Sequence, residues 1–120
     1  MVTNEKIINM FIDGLEKNKH ISENVFIEKL KNGICVLYSY GYHFPLCIKL
    51  LDNTYLINSD GYSNTTARHK SLLCYALNNT NFKELQKQQN NNIMFFDTNQ
   101  LKNILSMGFK TKLEIIQNKI

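Results

Sequence analysis

The stretch that decides the fold is VFIEKLKNGICVLYSY, residues 25–40. It consists of two β-rich runs with Lys31-Asn32-Gly33 between them. Asn-Gly between such runs indicates a β-hairpin, because both central residues of a type I′ turn need a positive φ, which Asn and Gly tolerate. The competing interpretation is a helix from Ser22 to Lys31 that Gly33 ends. The β-forming composition of the two runs favours the hairpin.

The chain after this hairpin continues as short apolar runs separated by turn residues. The turn Gly41-Tyr42-His43-Phe44-Pro45 precedes a third strand at Leu46–Leu51, and Asp52-Asn53 separates it from a fourth at Thr54–Asn58. Strands at this spacing are typical of an antiparallel meander.

Helices are predicted before and after the strands from the helical spacing of apolar residues. They cover residues 4–17, Thr66–Leu77, Thr98–Met107 and Lys112–Lys119, and Thr98 is expected to cap the third of them. The polar residues 82–92 are expected to lack regular structure, and Ile93–Phe96 is either a strand or the lead-in to a helix. The prediction is a single α+β domain over residues 1–120, with an antiparallel sheet of about four strands and helices packed on one face. Its motif-bearing core spans about residues 24–77, and its helical C-terminal part spans about residues 93–120.

Length and composition exclude several classes of protein. The chain has 120 residues, a net charge of +4 and three cysteines. No apolar run is long enough to cross a bilayer, so no membrane partner is expected. The cysteines lie in apolar stretches without zinc spacing, which predicts buried free thiols and a reducing cytoplasm. Neither a metal nor a cofactor is expected, because no ligand or cofactor fingerprint occurs.

Two polar segments carry the candidate chemistry. In Tyr38–Pro45, four aromatic residues alternate with small or polar ones, which suits either a platform for stacking bases or ordinary cross-strand packing. In Asp60–Ser71, Thr65 or Thr66 is expected to cap a helix whose first turn carries Arg68, the only arginine of the chain. A helix start beside a guanidinium favours an anion or a partner. The predicted binding residues are Tyr40, Tyr42, His43, Tyr62, Ser63, Asn64, Thr65, Arg68 and His69.

Catalysis is a weaker interpretation of the same residues. His43 and His69 could form the acid–base pair of a small metal-free nuclease. Ser63, His69 and Asp60 are too close in sequence to converge on one reacting atom. The last two predicted helices outline a helix-turn-helix, yet their mostly apolar residues favour a packed helical hairpin. No catalytic residue is therefore assigned.

The two polar segments together resemble a family of small proteins of unknown function from phages and other mobile elements. The resemblance rests on YSYGYHFP at residues 38–45 and YSNTTARHKS at residues 62–71, which are similar to the signature YSYGxHFP followed by YSxTTSxHxS, with Ala67 in place of serine. It covers about Lys31 to Leu77. It implies an accessory protein of the host bacterial cytoplasm that binds and inhibits a defence system such as a CRISPR effector. The expected partner is a host protein or ribonucleoprotein, and direct nucleic-acid binding is the alternative.

Overall fold

The computed structural model describes residues 3–14, 19–21, 24–61, 63–88 and 90–118. Within these ranges the chain forms five helices and six strands. In chain order they are α1 (Asn4–Asp13), β1 (Lys19–Ile21), β2 (Val25–Lys29), β3 (Cys35–Ser39), β4 (Pro45–Lys49), β5 (Tyr55–Asn58), α2 (Asn64–Asn78), α3 (Phe82–Lys87), β6 (Ile93–Phe96), α4 (Thr98–Met107) and α5 (Lys112–Gln117).

The described strands form one sheet in the order β1-β2-β3-β4-β5-β6. All neighbours pair antiparallel except β5 and β6, which are parallel. A parallel neighbour cannot be reached by a tight turn, so the chain crosses over through α2 and α3. The predicted α+β class and the central meander are confirmed. The sheet gains a short strand at each edge, β1 and β6, beyond the four that were expected.

The β2–β3 hairpin is confirmed, but its turn differs from the expected one. The Leu30 N–H donates to the Ile34 carbonyl at 2.8 Å, and the Gly33 N–H donates to the Leu30 carbonyl at 3.0 Å. Gly33 has a φ of 92°, which Asn32 does not share; the Asn32 Oδ1 instead accepts from the Ile34 N–H at 3.0 Å. One left-handed residue after a turn is the three-residue hairpin loop, not the type I′ turn. The alternative helix over residues 22–31 is wrong, because β2 lies there.

The helices cover both faces of the sheet, which corrects the prediction of a single covered face. α1, α2 and α3 pack on one face, where Phe11, Leu73 and Leu85 are fully buried. α4 and α5 pack on the other, where Leu101 and Ile104 are fully buried. Strand side chains alternate between the two faces, so both sides of the central strands are apolar and each needs a cover.

Three smaller corrections concern the ends of elements. α1 ends at Asp13 instead of residue 17. The segment expected to lack structure contains α3, whose N-cap is Asn81. α4 is capped by Asp97, not by Thr98. The three cysteines are free and buried, as predicted, and none of the helices in the described ranges has the length and apolarity needed to span a bilayer.

Candidate functional site

A chain of polar side chains, buried at Ser39, Thr66 and His69, joins the two segments that the sequence singles out. The Ser39 Oγ, at the end of β3, lies 2.8 Å from the His69 Nδ1 and 3.2 Å from the Thr66 Oγ1, both on α2. The His69 Nε2 lies 3.3 Å from the Asn4 Nδ2 on α1. The Ser63 hydroxyl donates to the Thr66 Oγ1 at 3.1 Å. We call these five residues the Ser39 network; it ties α1, β3 and α2 together.

His69 is neutral in this network. Its residue is only 2% exposed, and burial lowers the pKa of the imidazole below its usual value. With the Asn4 amide donating to Nε2, the proton sits on Nδ1 and is donated to the Ser39 Oγ. Both ring nitrogens are therefore used by protein groups, which leaves His69 no nitrogen for proton transfer to a substrate.

The start of α2 lies earlier than predicted. The N-cap is Ser63, whose Oγ accepts from the Thr66 N–H at 3.1 Å, instead of Thr65 or Thr66. Arg68 is consequently in the second turn of the helix, away from the free N–H groups of the first. The carboxylate of Asp60, at the start of the same polar segment, accepts from the Thr98 N–H at 2.8 Å.

Tyr40 covers the Ser39 network from outside. Its φ is 70°, a left-handed conformation that a bulky residue rarely adopts. Its N–H donates to the Asn24 carbonyl at 2.7 Å, and its ring centroid lies 5.9 Å from that of His69. The residue remains 46% exposed. Tyr40 is thus the exposed neighbour of α2, and His69 lies beneath it.

Tyr42 belongs to the opposite face of the sheet. Its ring packs edge-on against Phe26 and Tyr38, with centroids 5.0 Å and 4.9 Å away, and its hydroxyl donates to the Glu28 Oε2 at 3.0 Å. Phe26 and Tyr38 belong to the core under α4 and α5. The four aromatic residues of this segment therefore do not form one exposed stacking platform. Tyr38 and Phe44 are buried, and Tyr40 and Tyr42 lie on different faces of the sheet.

Two of the remaining predicted residues lie on the outer side of α2. Asn64 and Arg68 are exposed and line a shallow groove of about 480 Å³ along the helix, together with Ala67, Ser71, Leu72 and Tyr75. His43 is exposed in the β3–β4 turn, and Thr65 is partly buried. Tyr62 lies outside the described residues. We use the name α2 groove only for the surface lined by Asn64, Ala67, Arg68, Ser71, Leu72 and Tyr75.

Lys70 is a buried charged residue that the sequence did not single out. It is 7% exposed, donates from Nζ to the Asp60 carbonyl at 2.8 Å and places Nζ 4.4 Å from the centroid of the Phe82 ring. Burial lowers the pKa of its ammonium, with the nearby Asp60 opposing that shift. Lys70 borders a cavity of about 420 Å³ between α2 and α3.

The signal that could have found Lys70 is the buried stripe of α2. Residues 66, 69, 70, 73 and 74 follow helical spacing and are all buried. Tyr75 and Ala76, which the apolar spacing of the sequence favours as core residues, are both exposed. The polar identity of Thr66, His69 and Lys70 concealed the stripe.

Comparisons add a family but no activity. Among the described residues no group of three or more His, Cys, Asp or Glu side chains is placed to hold a metal ion. Neither the curated proteins nor the solved structures contain a match to this chain. A family of unknown function, DUF8033, matches residues 10–92. That is more than half of the sequence, and the chain therefore belongs to this family.

Proposed function

We propose that the protein acts by binding another protein, without catalysis, through the α2 groove and the adjoining Tyr40. The observation that supports this most directly is the exposed apolar surface of α2: Tyr75 is 58% exposed and shares the groove with Leu72 and Arg68. Tyrosine and arginine are the residue types that dominate binding energy at protein interfaces.

The position of Tyr40 supports the same surface. It contacts His69, so an exposed ring from the β3–β4 turn lies against the helix that carries the groove. Its left-handed φ is held by the hydrogen bond to Asn24 and by the network below it. Strained, well-supported residues concentrate at sites of function.

The setting that we propose comes from the resemblance described above. An accessory protein of a phage or mobile element would use this surface to occupy a bacterial defence protein, such as a CRISPR effector. Inhibition by occupancy needs a contact area of only about 800 Å² on each partner. Direct nucleic-acid binding has less support, because the groove is apolar with one cation, whereas phosphate binding needs several.

Affinity capture from a bacterial host lysate tests this proposal. The tagged wild type is compared with the double variant Arg68→Ala/Tyr75→Ala and with Lys102→Ala, a matched change at an exposed position of α4. We expect the wild type and Lys102→Ala to retain one protein and the double variant to lose it. The unfolding temperature of the double variant should equal that of the wild type, which shows that the variant is folded.

Two outcomes would contradict the proposal. Equal capture by the folded double variant would remove the α2 groove as the contact surface. Capture that disappears after nuclease treatment and weakens steeply with salt would indicate nucleic-acid binding instead. Incubation with labelled RNA and DNA, with and without a divalent metal, tests the nuclease alternative, for which the buried His69 predicts no cleavage.

A further inference from the structure

The cavity between α2 and α3 contains a buried cation whose charge is poorly compensated. The ammonium of Lys70 carries three N–H donors. One is donated to the Asp60 carbonyl at 2.8 Å, and the Phe82 ring lies on another side at 4.4 Å. Neither partner is an anion. In proteins, a charge that is taken out of water is normally paired with an opposite charge.

No carboxylate in the described part of the chain makes an ion pair with Lys70. The one salt bridge found there joins Lys87 to Glu84. Asp60 is the nearest acidic residue, but its carboxylate is held by the Thr98 N–H at 2.8 Å, while its carbonyl faces Lys70. The fold thus directs the natural counter-charge of Lys70 to another partner.

The space beside Lys70 is large enough for a small organic molecule. Its volume is about 420 Å³, within the range of about 300–1,000 Å³ that is typical of ligand pockets. Ala67 and Phe82 form an apolar part of the cavity wall, and Ser63 and Ser71 add hydroxyl groups to it. Asp60, Lys83 and Glu84 also line the cavity, but they are partly or fully exposed, so Lys70 is the buried charge that a ligand would meet.

We infer that this cavity binds a small organic anion, whose carboxylate or phosphate oxygens contact the Lys70 ammonium and whose apolar part lies against Phe82 and Ala67. The anion supplies a counter-charge in contact with the ammonium, whereas the Asp60 carboxylate acts on Lys70 only from beyond ion-pair distance. The Phe82 ring, already in contact with Nζ, would pack against the ligand's apolar part. This cavity adjoins the α2 groove, because Ala67 and Ser71 line both, but Lys70 and Phe82 line only the cavity and Arg68 and Tyr75 line only the groove.

Binding is measured by two-dimensional NMR of the ¹⁵N-labelled protein with four probes: benzoate, phenyl phosphate, inorganic phosphate and benzyl alcohol. We expect at least one of the two aromatic anions to shift the amide signals of Lys70, Phe82 and Lys83, which line this cavity and not the α2 groove, in a saturable manner. Benzyl alcohol, which has the ring without the charge, is expected to bind about tenfold more weakly or not at all, because the charge-assisted hydrogen bond is missing.

The variant Lys70→Met keeps a long side chain and removes the charge, and Lys102→Met is its control at an exposed position of α4. We expect Lys70→Met to weaken binding of the aromatic anions at least about tenfold and the control to leave it unchanged. Replacing a buried charge by an apolar group of similar size is usually tolerated. If Lys70→Met does not fold, the comparison of benzoate with benzyl alcohol in the wild type decides the matter.

Three results would overturn the inference. The first is the absence of saturable shifts at Lys70, Phe82 and Lys83 with both aromatic anions. The second is equal affinity for benzoate and benzyl alcohol, which would make the charge irrelevant. The third is binding of inorganic phosphate as tight as that of phenyl phosphate, which would make the apolar wall irrelevant. The proposed protein interface is unaffected by any of them, since its test uses different residues.

Discussion

His69 illustrates how a single residue couples stability to pH. Burial lowers the pKa of its imidazole from 6.5, so the unfolded chain takes up a proton that the folded ring does not. The stability of the fold is therefore fully present above pH ~6.5 and decreases as the pH falls from there toward the folded-state pKa. We expect the urea midpoint of the wild type to fall between about pH 7.5 and pH 5.

The matched variants for this prediction are His69→Gln and His43→Gln. Glutamine at residue 69 does not titrate, so the midpoint of that variant should change less over the same pH range, although the variant is less stable at neutral pH. His43 is exposed, and its replacement should keep the wild-type pH dependence. A pH dependence that survives in His69→Gln would assign the effect to other groups.

Tyr40 offers a second test at the residue scale, because its backbone is left-handed with a φ of 70°. Both Tyr40→Asn and Tyr40→Val remove the ring that covers His69, but asparagine tolerates this conformation and a β-branched residue does not. We expect the free energy of unfolding of Tyr40→Val, measured by chemical denaturation, to be about 1–2 kcal/mol lower than that of Tyr40→Asn. Equal stability of the two variants would mean that residue 40 leaves the left-handed region.

A left-handed backbone residue also shapes two larger elements, the β2–β3 and β4–β5 hairpin loops. The β4–β5 loop repeats the β2–β3 loop: the Asn53 N–H donates to the Leu50 carbonyl at 3.1 Å, and Asn53 has a φ of 62°. Gly33 and Asn53 occupy equivalent positions. A Cβ at Gly33 would lie 2.9 Å from the Leu51 Cδ2, so a larger residue there meets a neighbour as well as backbone strain.

We therefore expect Gly33→Ala to lower the free energy of unfolding by about 1–2 kcal/mol. Asn53→Gly should change it by less, because glycine accepts the same conformation freely. Thermal or urea unfolding of the two single variants checks this. A loss for Asn53→Gly as large as that for Gly33→Ala would show that the Asn53 side chain, and not the backbone, stabilises the loop.

Elements with a strong local signal were predicted, and short ones were not. Asn32-Gly33 identified its hairpin because a turn is specified by adjacent residues. β1 and α3 were missed because three and six residues are too few to show a period. The pairing of β6 with β5 is set by contacts that are distant in sequence, so the sequence left Ile93–Phe96 undecided.

The candidate site, too, could be predicted from the sequence only in part. The sequence indicated that Tyr40 and the start of α2 carry related chemistry, and the structure places Tyr40 against His69. Burial of His69, Thr66 and Lys70 could not be predicted, because polar residues on a helix usually face water and their partners come from α1, β3 and the Asp60 loop. The separation of Tyr42 from Tyr40 also depends on tertiary packing.

At the scale of the whole molecule, the family match and the physical unit have different boundaries. The match ends at residue 92, whereas β6, α4 and α5 follow it. Of these elements, β6 pairs with β5, and α4 and α5 cover the face of the sheet on which Val36, Ile48 and Leu56 are fully buried. Without them, that apolar face and the edge of β5 would be exposed to water, which favours association between sheets.

We expect a fragment of residues 1–92 to lose cooperative folding, while the full chain unfolds in a single transition. The missing layer removes Leu101, Ile104 and Ile115 from the core, and burying each such side chain stabilises a protein by about 1.5–3 kcal/mol. That loss is comparable with the whole stability of a small domain, about 5–15 kcal/mol. Urea titration followed by circular dichroism, dye binding to exposed apolar surface and size-exclusion chromatography measure the difference. A monomeric fragment with a sharp transition would show that the sheet and its first helical layer fold without the second.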